Sequence, residues 1–367
     1  MIKSSVVATS LTLLIIQACG NPVRQRPSED FKILATNAPE FDQGLPKEPF
    51  TPEGCRARIE KLLCLVDPAP EGASEKPRPC VFGEDLSSGA RALEKIYDAY
   101  PLALKRIFCD LNRIYVEREF YGTAYAGTDP SGEQVIMGIR ASLLLAQPIP
   151  HMTHWITWKE QLSFGGRQDS YETRDDLVKV VVNSQLPNEA NDFLHFVIAH
   201  EIGHLLDFRY HVNDFVCPAD TDSSSACTPK AGSWSALSWK AFYPQYKPTD
   251  EDPWGLSYYE PNKEASFAHR DQLCFYGCKP GHGSPELAPE LYKELERSSL
   301  LTTYSATNAY DDFAEALAFY VSTQAAPWSY QVILTSGENY DLAQKFLHAP
   351  QYQAKREWLE QFISRIQ

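Results

Sequence analysis

NDFLHFVIAHEIGHLLDFRY, residues 191–210, reads as a helix capped at Asn191 or Asp192 and apolar on nearly every side. Within it stands H-E-x-x-H, as His200, Glu201, Ile202, Gly203 and His204. Residues four apart lie on one helix face, so the two imidazoles can converge on a single Zn²⁺ at about 2.0–2.1 Å. Glu201 is rotated about 100° from His200. It therefore stands beside the metal, where it can hold and deprotonate a zinc-bound water whose pKa the ion lowers. Phe196, Val197, Ile198, Ile202, Leu205 and Leu206 bury the helix, and unliganded imidazoles and a carboxylate would be unfavourable there. Gly203 costs the helix on the order of 1 kcal/mol relative to alanine, which predicts a close backbone approach at that point. His195 is read as part of the packing surface of the same helix.

A catalytic zinc needs a third protein ligand and leaves a fourth position open. The metzincin register would require Gly at 207 and His at 210, where this chain has Asp207 and Tyr210. Asp207 lies about 10 Å along the axis from His200, too far to share the ion, and is expected to orient His204. A better source is TYSATNAYDDFAEALAFYV, residues 303–321, in which Asn308 can cap a helix and Asp311 and Glu315 fall on one face. One of these carboxylates can ligate while the other accepts a hydrogen bond from a ligand histidine. Two helices would then share one metal.

With HEIGHLLD at 200–207 and TYSATNAYDDFAEA at 303–316, in that order, the chain resembles the anthrax lethal factor-like metallopeptidases, which include bacterial Pro-Pro endopeptidases. That group has H-E-x-x-H, a later glutamate ligand opening an E-F-F-A-E-A-like stretch, and a tyrosine seven residues before that glutamate. The resemblance implies Asp311 as third ligand, Glu315 as its supporting carboxylate, and Tyr304 as the residue that donates a hydrogen bond to the oxyanion. It also implies an α+β, zincin-like fold, one Zn²⁺ per chain and hydrolysis of a peptide or protein substrate. Aspartate is one methylene shorter than the usual glutamate. Either the helix approaches the metal more closely or Glu315 ligates instead. The similarity runs from about Ile114 to Val321 with interruptions and leaves out the cysteine-rich N-terminal part.

The chain opens with MIKSSVVATSLTLLIIQAC, in which an apolar run through Ile16 is too short to span a bilayer core of about 30 Å. Ile16, Gln17, Ala18 and Cys19 resemble a lipobox, implying a signal peptide at 1–18 and a mature chain held to the membrane by acylated, palmitate-bearing Cys19. Gly20 resembles lipoproteins sent to the outer rather than the inner membrane of Gram-negative bacteria. Of the nine cysteines, eight then remain: Cys55, Cys64, Cys80, Cys109, Cys217, Cys227, Cys274 and Cys278. Outside the cytosol an even number favours disulfides over thiolate zinc sites. Cys217 with Cys227 and Cys274 with Cys278 are short-loop candidates, and the first four can pair in three ways. A net charge of -14 argues against nucleic acid or anionic lipid as a partner.

Polar, proline-bearing residues 19–50 read as a tether, 51–113 as a disulfide-stapled helical lobe broken near Pro101, and 114–367 as the zinc metallopeptidase domain. A hairpin is expected over 114–139 around the turn at 128–132, with further strands at 153–158 and 178–183. The stretch WKEQLSF, 158–164, is read as a strand at the cleft edge that pairs with extended peptide. Long pinned loops with a short helix at 263–274 should follow, and then helices at 285–297, 308–322 and 340–366. Two other functions fit the same pattern. One is a noncatalytic envelope lipoprotein whose zinc staples two helices, and the other is a zinc amidase acting on cell-wall cross-links.

Overall fold

A computed structural model describes residues 14–16, 45–67, 80–81, 84–118, 120, 122–128, 135–145, 152–166, 172–184, 192–218, 226–243, 259–274, 283–325 and 327–366. The cleavage site, Cys19 and most of the tether expected at 19–50 lie outside them, as do Asn191 and Cys278. The architecture is mixed α+β. Strand β1 (Leu14–Ile16) pairs antiparallel with β5 (Ala124–Thr128). Thr51 accepts a hydrogen bond from Gly54 N at 3.1 Å and Pro52 occupies the first turn, which together start α1 (Pro52–Ala57). Helix α2 (Ile59–Leu62) runs straight into strand β2 (Leu63–Val66), followed by β3 (Cys80–Val81). Pro101 separates α3 (Ser87–Ala99) from α4 (Leu102–Asp110), as expected. After β4 (Arg113–Glu117), β5 and β6 (Val135–Arg140) form the anticipated hairpin. The six strands make one sheet in the order β1-β5-β6-β4-β2-β3, with β2, β4 and β6 parallel.

Residues 51–113 are therefore not a segregated helical lobe. They contribute two strands to the sheet, and Ile59, Leu93, Leu104 and Phe108 join the same hydrophobic core as the 191–210 helix. Leu63–Val66 is buried at every position, as strands covered on both faces are, so its apolar run continues that of α2 without a change of period. Disulfides join Cys55 to Cys109, Cys64 to Cys80 and Cys217 to Cys227. The first two choose among the three N-terminal pairings. Cys274 is also disulfide-bonded, to a partner outside the described residues.

Helices α5 (Ala141–Leu144) and α6 (Met152–Gln161) precede β7 (Lys179–Ser184). The strands expected at 153–158 and 158–164 are instead α6 and a 3-10 turn, Leu162–Phe164. Their threonines explain the error: Thr157 Oγ1 donates to Val180 O and accepts from Val180 N, both at 3.0 Å, and Thr153 Oγ1 does the same for Val182 at 3.3 and 3.0 Å. Hydroxyls one helical turn apart thus satisfy the outer edge of β7 in place of a neighbouring strand.

Helix α7 (Asp192–Tyr210) carries the motif and packs on β5 to one side. The long loops hold two short ladders, β8 (Phe215–Val216) with β9 (Thr228–Pro229) and β10 (Trp239–Phe242) with β11 (Tyr259–Pro261). Where a helix was expected at 263–274 there is one 3-10 turn, Arg270–Gln272. Helix α8 (Ala288–Arg297) is followed by α9 (Ala309–Ala325), which packs along α7. Strand β12 (Trp328–Ile333) lies between β7 and β13 (Asn339–Asp341), and α10 (Leu342–His348) and α11 (Gln353–Ile366) close the chain, replacing the single helix expected at 340–366. Among the described residues no helix is long and apolar enough to cross a membrane.

Candidate metal centre

A Cβ built on Gly203 would lie 2.8 Å from the Cα of Ala314, closer than side-chain carbons approach backbone. The glycine on α7 and the alanine on α9 thereby let the two backbones meet, as the helix-interior glycine predicted. This contact places Asp311, one turn before Glu315, against the motif histidines. Asn308 Oδ1 accepts from Tyr310 N and Asp311 N at 2.9 Å each and caps α9 as expected.

Three ligand atoms converge. His200 Nε2 is 3.2 Å from His204 Nε2, and Asp311 Oδ1 is 3.6 Å from the first and 3.5 Å from the second. Tetrahedral ligands at about 2.0–2.1 Å from a common ion sit about 3.3–3.4 Å apart, so this triangle has the size of a metal's first shell. The group is buried and can hold a metal ion. Asp311 Oδ2 is already occupied, accepting from Asn308 Nδ2 at 2.6 Å and Thr307 Oγ1 at 3.1 Å. Its Oδ1 has no hydrogen-bond partner, which leaves one oxygen for a cation.

Glu315 is arranged differently. Its Oε1 lies 3.0 Å from His200 Nδ1 and 2.8 Å from Lys159 Nζ, while Oε2 accepts from Thr302 Oγ1 at 3.0 Å. Both oxygens are committed outside the triangle, and their placement favours the His200 tautomer with the proton on Nδ1 and a lone pair on Nε2. Of the two candidates for third ligand, Asp311 is the one that faces both Nε2 atoms.

Glu201 is fully buried and neither of its oxygens has a hydrogen-bond partner. Burial pushes its carboxyl up to about 8. Burial alone would lower His200, but Asp311 and Glu315 outweigh it and raise the imidazole to about 9. His204 is lowered by burial. Burial would raise Asp311 and Glu315, yet the imidazoles hold Asp311 far below the carboxylate range, and Lys159 with His200 holds Glu315 down at about 2. Burial thus favours a neutral Glu201, while Asp311 and Glu315 are offset by Lys159 and a protonated His200. A divalent cation in the triangle would take over the positive charge that the His200 proton supplies to these carboxylates. The donor set, the triangle and the unpartnered oxygens all fit such an ion.

Tyr304 lies in the 3-10 turn Tyr304–Ala306, buried, with its ring centroid 5.9 Å from that of His200. Arg270, from the long loop region, holds this turn by donating to Ala306 O at 2.7 Å and Thr307 O at 3.0 Å. Asp207 does not orient His204, whose Nδ1 has no hydrogen-bond partner. The chain reverses through His211 at φ 51°, bringing Asn213 back to donate from N and Nδ2 to the two Asp207 oxygens at 2.6 and 3.2 Å. Asn213 Nδ2 also reaches Ala309 O at 3.0 Å, so Asp207 ties the end of α7 to the start of α9. Asp312 faces away from the triangle, into a buried pair with Lys355 and the indoles of Trp234 and Trp239. His195 is buried against the Tyr100 ring, as a packing residue.

Sequence reasoning missed Lys159, Thr302 and Arg270. Lys159 had one available signal, its place among Trp155, Ile156, Trp158 and Leu162, where a lysine read on a helix must be internal. No protein-family model matches the chain, and no curated protein or solved structure matches it significantly.

Proposed function

We propose that this chain is an exported zinc metallopeptidase. The reading is carried by the convergence of His200 Nε2, His204 Nε2 and Asp311 Oδ1 beside the unpartnered carboxylate of Glu201. These three residues would hold the ion, which supplies a Lewis acid for the scissile carbonyl and a lowered pKa for the attacking water. Glu201 takes the proton from that water and can return it to the leaving amine. Tyr304 donates its phenolic hydrogen to the oxygen on which negative charge develops. Glu315 keeps His200 in the ligating tautomer. Two imidazoles and one carboxylate are a donor set that zinc favours, and among the described residues no fourth His, Cys, Asp or Glu completes the shell. The zincin-like fold and the lethal factor-like resemblance belong to the same proposal.

Export and a lipid anchor at Cys19 follow from the N-terminal sequence, and oxidised Cys55, Cys64, Cys80, Cys109, Cys217, Cys227 and Cys274 support an oxidising compartment. Peptides or proteins of the cell envelope or its surroundings are the proposed substrates. One observation favours a second reading: His200, His204 and Asp311 are at most 5% exposed, as in a structural metal staple.

The test is metal analysis with a peptide-library assay on the chain lacking residues 1–19. The proposal expects one zinc per chain and cleavage, with Glu201→Gln keeping the metal and losing about 10²- to 10⁴-fold in kcat. Full activity in Glu201→Gln would end the mechanism. A zinc-loaded chain that cleaves nothing but loses stability on chelation would establish the staple, and cleavage confined to cell-wall cross-link amides would establish the amidase.

A further inference from the structure

The buried end of α6 meets the turn that carries Tyr304 through several contacts. Lys159 Nζ sits 4.0 Å from the Tyr304 ring centroid and 2.8 Å from Glu315 Oε1. Glu160 accepts from Thr303 Oγ1 at 2.7 Å, and Ser163 Oγ lies 2.8 Å from the same hydroxyl. Thr302, two residues before Tyr304, donates to the other Glu315 oxygen. One ammonium therefore touches both the carboxylate behind His200 and the face of the proposed oxyanion donor.

We propose that Lys159 is a positioning residue, which holds Glu315 against His200 Nδ1 and outside the metal triangle and seats the Tyr304 ring beside the site. This rests on the peptidase reading only for its effect on turnover. The geometry leaves Glu315 few other restraints. Among the described residues its contacts are one ammonium, one imidazole and one hydroxyl, and the ammonium is the closest of the three. Without it, the carboxylate would face Asp311, one turn away on the same helix face, and its favourable alternatives would be to take up a proton or to turn towards a cation between the histidines. Either move takes the negative charge away from its place 3.0 Å from His200 Nδ1. On the other side, a cation over the face of a phenol ring attracts its π-density and fixes the ring's orientation. Loss of that contact frees the phenol from the place where an oxyanion would form.

The experiment uses Lys159→Met, close in shape and uncharged, in the full chain. The first readout is zinc affinity by chelator competition, which needs no catalysis. Lys159→Met should bind zinc about 10- to 100-fold more weakly. Lys159→Met with Glu315→Gln should bind no more weakly than Glu315→Gln alone, because the lysine acts through that carboxylate. The second readout is turnover: Lys159→Met should lower kcat about 100-fold with KM changed less than about threefold, and should add little loss in a Tyr304→Phe background. Unchanged zinc affinity in folded Lys159→Met, or losses that simply add in the double variants, would overturn the proposal. If Lys159→Met fails to fold, Lys159→Gln, uncharged but able to hydrogen-bond, is measured in its place, with the same expected weakening of zinc affinity and the same overturning result. A wild-type chain that binds zinc and cleaves nothing would defeat the peptidase reading, while the affinity cycle would still decide the role of Lys159.

Discussion

His195, His200 and His204 share one helix and one degree of burial, yet their surroundings assign them opposite charge states. Around His200 the carboxylates of Asp311 and Glu315 overcome desolvation. His195 packs on the Tyr100 ring with Nε2 unpartnered among the described residues, and burial lowers it to about 4. A base whose folded pKa lies below its unfolded value of about 6.5 binds more protons when unfolded, so its neutral form stabilises the fold above pH 6.5 and that contribution disappears as pH falls through 4. The shift corresponds to roughly 3 kcal/mol. His195→Leu removes this titration while keeping the backbone carbonyl that accepts from Tyr100 Oη at 2.6 Å. Denaturant unfolding of both chains at several pH values isolates the effect, since the other titrations cancel in the difference. Wild type should lose roughly 3 kcal/mol relative to His195→Leu between pH 6.5 and pH 4. A flat difference would mean that His195 takes up its proton while folded.

Elements make the same point in another form, because what hides an element from its sequence is how completely it is buried. The motif helix and the Asp311 helix were legible because their chemistry fixes a spacing of four, and the β5–β6 hairpin because its turn residues interrupt two β-rich runs. Helix α6 was not. Thr153, Ile156 and Thr157 favour strand, and Thr157, Lys159, Glu160 and Gln161 are all buried on polar partners, so no polar face marks a helical period. The site was legible to the same extent: ligands set by motif spacing could be named, whereas Lys159, Thr302 and Arg270 reach it from distant segments that no local rule connects. Strand β12 was missed for a related reason, following α9 after only two residues with apolar and aromatic side chains that could extend it. The threonine edge of α6 can be tested directly. Thr157→Val preserves shape and leaves Val180 N and O without their partner, at about 1–3 kcal/mol for each buried group. Thr157→Ser, which keeps the hydroxyl, should recover most of that loss in thermal or denaturant unfolding. Equal stability of wild type and the valine variant would show that β7 finds other partners.

Across the whole molecule, one core runs from the N-terminal helices through the sheet to α11, with α7 at its centre. The centre is held by two kinds of restraint acting on different parts of the chain. A metal would clamp α7 to α9, both in the second half of the sequence. The Cys55–Cys109 bridge closes a loop of 54 residues that contains β2, β3 and α3, the segments that complete the far side of the sheet and pack behind α7. Because it limits the unfolded chain, its loss should lower stability by about 4 kcal/mol for a loop of this length. Cys55→Ala with Cys109→Ala removes both buried sulfurs together and avoids a free thiol. The double variant should unfold at a lower denaturant midpoint with nearly unchanged slope. Below that midpoint it should still bind one metal ion, since the His200, His204 and Asp311 triangle is built on α7 and α9 alone. A folded variant that no longer binds metal would place the restraint on the triangle itself, and a midpoint equal to wild type would leave the core, rather than the bridge, holding the N-terminal strands to the sheet.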